Sequence, residues 1–176
     1  MNFVGYVACY VTTVINLLVL VYCYSKTNSE VGISKFNKYF LTMLISALVF
    51  VVNMYVTTSV KFVLIYLLLC LLFYLNYREK YLYLTLFKTI LIYILMFITD
   101  IIASLILMNL TVPTNPDVIN LLKALGTLLN SILMFGLFKI NYFVNLLNKF
   151  LLMIMKKEAK ILTIFAILLL ITLWCV

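Results

Sequence analysis

The sequence predicts an all-α fold, a polytopic transmembrane bundle of about six helices with one further amphipathic helix at the membrane interface. Three observations predict it. Of 176 residues, 67% are hydrophobic and only 10% charged, whereas a soluble domain is about half apolar. The apolar residues fall in runs long enough to cross a ~30 Å hydrocarbon core, which takes about 20 helical residues. The cations gather between alternate runs, the pattern of loops retained on the cytoplasmic side. The chain therefore reads as one transmembrane domain, 1–176, with nothing left over for a soluble catalytic domain.

A first run, 3–24, follows Met1 and Asn2 directly. With no basic leader and no small-residue cleavage site, it is expected to stay as an anchor. A polar stretch from Ser25 to Lys38 holds Lys26, Lys35, Lys38 and a lone Glu30 and forms the first loop. Runs 39–56 and 62–76 are separated by Thr57, Thr58, Ser59, Val60 and Lys61, enough for a tight antiparallel hairpin. After Arg78, Glu79 and Lys80 comes the longest run, 81–110. At about 1.5 Å per residue it exceeds the membrane core and must tilt or protrude. The segment Thr111 to Asp117 carries both prolines, Pro113 and Pro116, and no cation, so it marks a turn before a fifth helix, 118–139.

From 141 to 157 the polar residues Asn141, Asn145, Asn148, Lys149 and Lys156 recur at helical spacing along one face. Such a segment suits the membrane interface better than its interior. A last run, 161–176, is slightly short for a span and stops without a polar tail, as if the helix continued. With alternating helices, the loops bearing Lys26, Lys35, Lys38, Arg78, Lys80, Lys139, Lys149, Lys156, Lys157 and Lys160 share one side, expected to be cytoplasmic.

Thirteen Lys and Arg face five Asp and Glu, but cations isolated between apolar runs orient helices, and no nucleic-acid partner is expected. Membrane lipid is the implied surrounding. Cys9, Cys23, Cys70 and Cys175 are far apart and form no C-x-x-C pair, so they read as packing residues. The sequence contains no His, which removes His-based acid–base chemistry, Ser/His and Cys/His nucleophile pairs and nearly every common zinc site. No phosphate-binding glycine motif occurs and no two carboxylates share a helix face, so the sequence offers no catalytic residue, no metal site and no cofactor.

Asp100 stands apart, because it falls about ten residues from the outer end of the fourth run, near mid-bilayer, where a carboxylate is costly unless paired or wetted. Lys123 could reach down toward it from the fifth helix, and Asn130 matches it in depth. Asn53 on the second helix and Ser104, one turn above Asp100, could complete an intramembrane polar or ligand-binding cluster. The competing reading is interhelical glue. Lys88 sits near the cytoplasmic end of the same helix and is expected to snorkel to the interface. The Asn109-Leu110-Thr111 triplet abuts the membrane and is not read as a glycosylation site. Tyr22, Tyr24, Tyr74, Tyr77, Tyr81 and Tyr83 fall at run ends, as in an aromatic belt.

The Tyr-rich first helix ending Tyr22-Cys23-Tyr24-Ser25-Lys26, the re-entry from Lys35 to Phe40, and the stretches Phe87-Lys88-Thr89-Ile90-Leu91-Ile92-Tyr93 and Thr99-Asp100-Ile101-Ile102-Ala103-Ser104-Leu105-Ile106 carry a likeness over nearly the full chain. The chain resembles the amino-terminal membrane sensor region of peptide-pheromone-responsive histidine kinases of the accessory-gene-regulator receptor type, GHKL kinases of low-GC Gram-positive bacteria. That resemblance implies a multi-pass protein of the bacterial cell membrane, an outward pocket for an extracellular peptide, and a homodimer or a cytoplasmic kinase partner. The chain departs from that pattern in lacking the phospho-accepting His, the ATP-binding motif and the dimerisation coiled coil, so within that family it would be a non-catalytic sensor half, a truncated form or an orphan relative. The related peptide-processing membrane protease needs a His and is excluded. A small transporter subunit, such as the substrate-capturing component of an energy-coupling-factor transporter, or a cell-envelope scaffold remains the alternative. Only four glycines, Gly5, Gly32, Gly126 and Gly136, argue against the broken helices of many transporters.

Overall fold

The computed structural model describes residues 3–27, 35–56, 58–77, 82–108 and 116–156, and these are almost wholly helical, without a strand. The elements are α1 (Phe3–Lys26), α2 (Lys35–Tyr55), α3 (Thr58–Tyr77), α4 (Leu82–Met108), α5 (Pro116–Lys139) and α6 (Asn141–Lys156). Five of them, α1 to α5, are long and apolar enough to cross a membrane, with apolar stretches of 18 to 26 residues. At 1.5 Å per residue these span roughly 27–39 Å, which brackets the hydrocarbon thickness. The expected sixth span, 161–176, lies outside the described residues, as do 28–34, 78–81 and 109–115.

Several ends fall beyond the apolar runs, for local reasons. The start of α2 at Lys35 precedes the expected 39. Lys38 inside that extension donates from Nζ to the Tyr77 hydroxyl at 2.8 Å, which ties the added turn to α3. The start of α5 falls on Pro116, where a missing N–H leaves no intrahelical bond unmade. Between α5 and α6 only Ile140 is non-helical. Its N–H donates to Leu137 O at 3.2 Å and its carbonyl accepts from Val144 N at 3.2 Å, so the chain changes direction within one residue.

The helices form a ring in chain order. Successive pairs from α1 to α5 pack on one another, and α1 closes the ring through its extensive interface with α5 and a lesser one with α4. Short connections make sequential neighbours antiparallel, so α1 and α5 run parallel. Their register is visible in the Tyr22–Phe135 ring contact at 5.1 Å and in a groove where Val7 and Val11 meet Leu121 and Leu125.

The core is not spread evenly along the bundle. The main cluster gathers Leu17, Leu20, Val21, Cys23 and Tyr24 of α1 with Leu69, Leu72, Phe73 and Tyr77 of α3, Ile92 and Tyr93 of α4, and Met134 and Phe138 of α5. These lie in the halves nearer the basic loops, while Ile45 and Val49 of α2 extend the cluster to mid-depth and beyond. Tyr24 anchors the cluster: it stacks on Phe73 with ring centroids 4.2 Å apart and tilts against Tyr77 at 4.9 Å. Tyr77 adds a polar tie, because its hydroxyl accepts from Lys38 and donates to Val21 O at 3.0 Å. Toward the opposite end the buried residues thin to Thr12, Val49, Tyr66, Thr99, Ala103 and Ala124. There Tyr6, Val7, Val11, Val51, Val60, Phe62, Ile101, Leu105, Val118 and Leu121 are all exposed. The bundle is packed more densely at its basic end than at the other, although exposed apolar side chains such as Tyr39, Phe40, Leu82 and Ile132 occur at the basic end as well.

Lys88 departs from the sequence expectation. It is 6% exposed, and its Nζ sits 5.8 Å from the centroid of the Tyr24 ring. It turns into the basic end of the bundle because α1 packs on α4 there, and the face of a buried tyrosine offers a cation partial compensation for lost water.

The last element lies across the basic end. Val144 and Leu147 of α6 join the main cluster, Leu151 packs on Phe87 near the start of α4, and Asn148 Nδ2 donates to Lys26 O at 3.4 Å. One 16-residue helix thus reaches from the end of α5, past the end of α1, to the start of α4. The expected amphipathic segment is a helix over almost the same residues.

Candidate functional site

Most polar side chains inside the spans satisfy themselves. Thr42 Oγ1 donates to Lys38 O at 2.7 Å, Ser46 Oγ to Met43 O at 2.7 Å, Thr89 Oγ1 to Thr85 O at 2.6 Å and Ser131 Oγ to Thr127 O at 2.8 Å. A hydroxyl can return to a carbonyl three or four residues back on its own helix, which makes Ser and Thr inexpensive in lipid. Carboxamides and carboxylates have no such refuge. They must find partners on other helices or keep open capacity, and they mark where helices meet for a reason.

At mid-depth α4 and α5 meet through such groups. The Asn130 side chain is 3% exposed. Its Oδ1 accepts from Thr99 Oγ1 at 2.5 Å, and its Nδ2 donates to Asp100 Oδ1 at 3.5 Å. Thr99 also lies within reach of Leu95 O at 3.1 Å and Met96 O at 2.9 Å. It has one proton to give, and the shortest of the three contacts is to Asn130. Asn130 is therefore fixed from below by a buried threonine and presents its amide edge to the carboxylate.

Asp100 is exposed and its bond from Asn130 is long, at the limit of a hydrogen bond. An ionised carboxylate offers about four acceptor positions, so most of its capacity faces outward from the α4–α5 seam. The parallel register of α1 and α5 places Asn16 level with Asn130. The Asn16 Oδ1 atom is buried with no hydrogen-bond partner among the described residues. Thr99, Asp100 and Asn130 thus form a polar cluster at mid-depth in the α4–α5 seam, with Asn16 at the same level on α1, and together they make a polar layer across the bundle.

The other sequence-nominated residues sit elsewhere. Lys123 is exposed on α5, seven residues from Asn130 toward the start of the helix, which is about 10 Å along the helix. It makes no ion pair with Asp100 among the described residues. Lys61 near the start of α3 and Lys123 near the start of α5 lie toward the same end of the bundle, although α3 and α5 share no extensive interface. Ser104 is exposed one turn above Asp100 on the same side of α4. Asn53 is exposed near the outer end of α2, a helix that packs on α1 and α3 rather than on the α4–α5 seam. The structure brings Asn130 to Asp100, stacks Ser104 and Lys123 above them, and leaves Asn53 apart.

Sequence reasoning passed over Thr99 and Asn16. Thr99 is indistinguishable in sequence from the self-bonded threonines. Asn16 carried a readable signal, an amide in the middle of an apolar run. An apolar groove of about 470 Å³ also opens between Val7, Val11 and Thr12 of α1 and Leu121, Leu125 and Leu128 of α5. Nine residues separate Leu121 from Asn130, which puts the groove on the opposite side of α5 from the polar layer.

No family model, curated protein or solved structure matches this chain. The functional reading therefore rests on the chain's own chemistry.

Proposed function

We propose that the chain is the membrane sensor domain of a receptor for an extracellular signal of peptide type, binding and transmitting without catalysing, and coupled to a separate cytoplasmic kinase. One observation carries the reading: the core is concentrated toward the basic end, and an exposed carboxylate with a single long hydrogen bond sits at mid-depth beyond it. With the basic end cytoplasmic, the less densely packed halves face outward, toward a secreted ligand. Lys61 and Lys123 toward that outer end suit an acidic group, such as a peptide carboxylate, and Asp100 deeper in the bundle suits a cationic or hydrogen-bond-donating group.

The resemblance to accessory-gene-regulator receptors supports the same reading and adds the bacterial plasma membrane as location and a homodimeric arrangement. The densely packed end then serves transmission. Tyr24, Phe73 and Tyr77 lock α1 to α3, and α6 spans the ends of α5, α1 and α4. A shift of α5 against α4 at the polar layer would reach α6 through the single residue Ile140.

The test uses the purified chain and the peptide fraction of the producing cells' culture medium. That fraction should raise the thermal unfolding midpoint of the wild-type chain and leave Asp100→Asn unmoved, although the variant inserts and unfolds like the wild type without ligand. Equal midpoint shifts in both would show that Asp100 is packing and remove the site assignment.

A further inference from the structure

We infer that α6 is a headgroup-reading helix that binds an anionic lipid surface at the basic end of the bundle, independently of any ligand at the polar layer. Its residues divide into three sectors rather than the two of an ordinary amphipathic helix. Val144, Leu147 and Leu151, at 3–9% exposure, face the bundle. Asn141, Asn145 and Lys149 are exposed on a second side. Tyr142, Leu146 and Phe150, one turn apart, form an exposed apolar ridge at 79%, 56% and 46%.

A helix against protein on one side, water on a second and apolar medium on a third lies where those three meet, at the rim of the bundle in the headgroup region. The transverse path of α6, from the end of α5 to the start of α4, holds it there. The ridge therefore enters the acyl boundary beside the spans.

Charge selects the lipid. Lys139 closes α5, Lys149 follows in the polar sector, and Lys26 ends α1 beside Asn148; all three are exposed. By sequence this end holds Glu30, Glu79 and Glu158 against the ten cations of its loops, so it is strongly net basic. Each lysine near an anionic leaflet contributes about a fivefold preference for anionic over neutral lipid. Phosphatidylglycerol-type headgroups thus complement the polar sector while the ridge takes up their chains. A neutral protein partner would cover the ridge but leave the net positive charge of this end uncompensated.

The experiment places a bimane fluorophore at L146C, in a chain whose four native cysteines are replaced by Ala, reconstituted with lipids brominated in their acyl chains. Brominated phosphatidylglycerol should quench the label more strongly than brominated phosphatidylcholine. The K139Q/K149Q double variant should lower that ratio by up to about fivefold per lysine. A label at N145C should be quenched weakly by both lipids and strongly by aqueous iodide. The inference is overturned if neither lipid quenches L146C, because protein or water then covers the ridge, or if the ratio ignores the lysines. Circular dichroism of each variant confirms that the helices remain, and none of these positions touches the polar layer of the proposed ligand site.

Discussion

Single residues set the energetics of both ends of the bundle. At the basic end Tyr77 accepts from Lys38 and donates to Val21 O, joining three helices through one hydroxyl. Tyr77→Phe removes both bonds while keeping the ring on Tyr24, and should cost about 1–3 kcal/mol of unfolding free energy, measured by denaturation in detergent. Asn76 is the counter-case. It is wholly buried, and neither its Oδ1 nor its Nδ2 has a partner among the described residues. A buried amide without bonds loses its water for nothing, so Asn76→Leu should be neutral or stabilise by about 1–3 kcal/mol. A loss of stability on that substitution would reveal a partner for the amide. At mid-depth, a double-mutant cycle between Thr99→Val and Asn130→Leu should return a coupling of about 0.6–1.7 kcal/mol. Asp100 was legible in the sequence because a carboxylate in an apolar run has few explanations. Thr99 was not, since a threonine that bonds its own helix and one that bonds a neighbour look alike in sequence.

The elements were legible from runs of apolar residues, and where the helices run past those runs, interactions at the ends decided it. Lys35 to Lys38 look like loop by composition, yet they are helical and tied to α3 through Lys38. Lys88 looks like a snorkelling residue near a helix end, yet it lies against Tyr24 inside the bundle. Neither outcome follows from periodicity, because each depends on which helix packs alongside. Glycine gives a test at this scale. A Cβ at Gly136 would meet nothing within 4 Å, whereas one at Gly126 would come within 3.3 Å of Leu107 Cδ1. Gly136→Ala should therefore stabilise α5 by roughly 0.4–1 kcal/mol by restricting the unfolded chain. Gly126→Ala should gain less, since the end of Leu107 must shift to admit it. Thermal unfolding of the two variants side by side would show a higher midpoint for Gly136→Ala.

At the scale of the whole molecule, the sequence conveyed a membrane bundle and its charge asymmetry but not its packing asymmetry. Hydropathy is nearly uniform along the spans, because lipid-facing and core-facing residues are equally apolar in a membrane protein. Only the three-dimensional arrangement shows that aromatic and leucine packing is concentrated at the basic end, with fewer buried residues beyond the polar layer. On the proposed reading, that asymmetry would let one end receive a ligand while the other holds a fixed frame. The most direct test is cysteine accessibility in intact cells, with a membrane-impermeant thiol reagent added outside and the native cysteines replaced. S104C and K123C, both exposed toward the outer end, should react if the proposed site is open to water, and T89C, buried toward the basic end, should not. Protection of S104C and K123C together with modification of T89C would contradict both the orientation and the proposed outward-facing site.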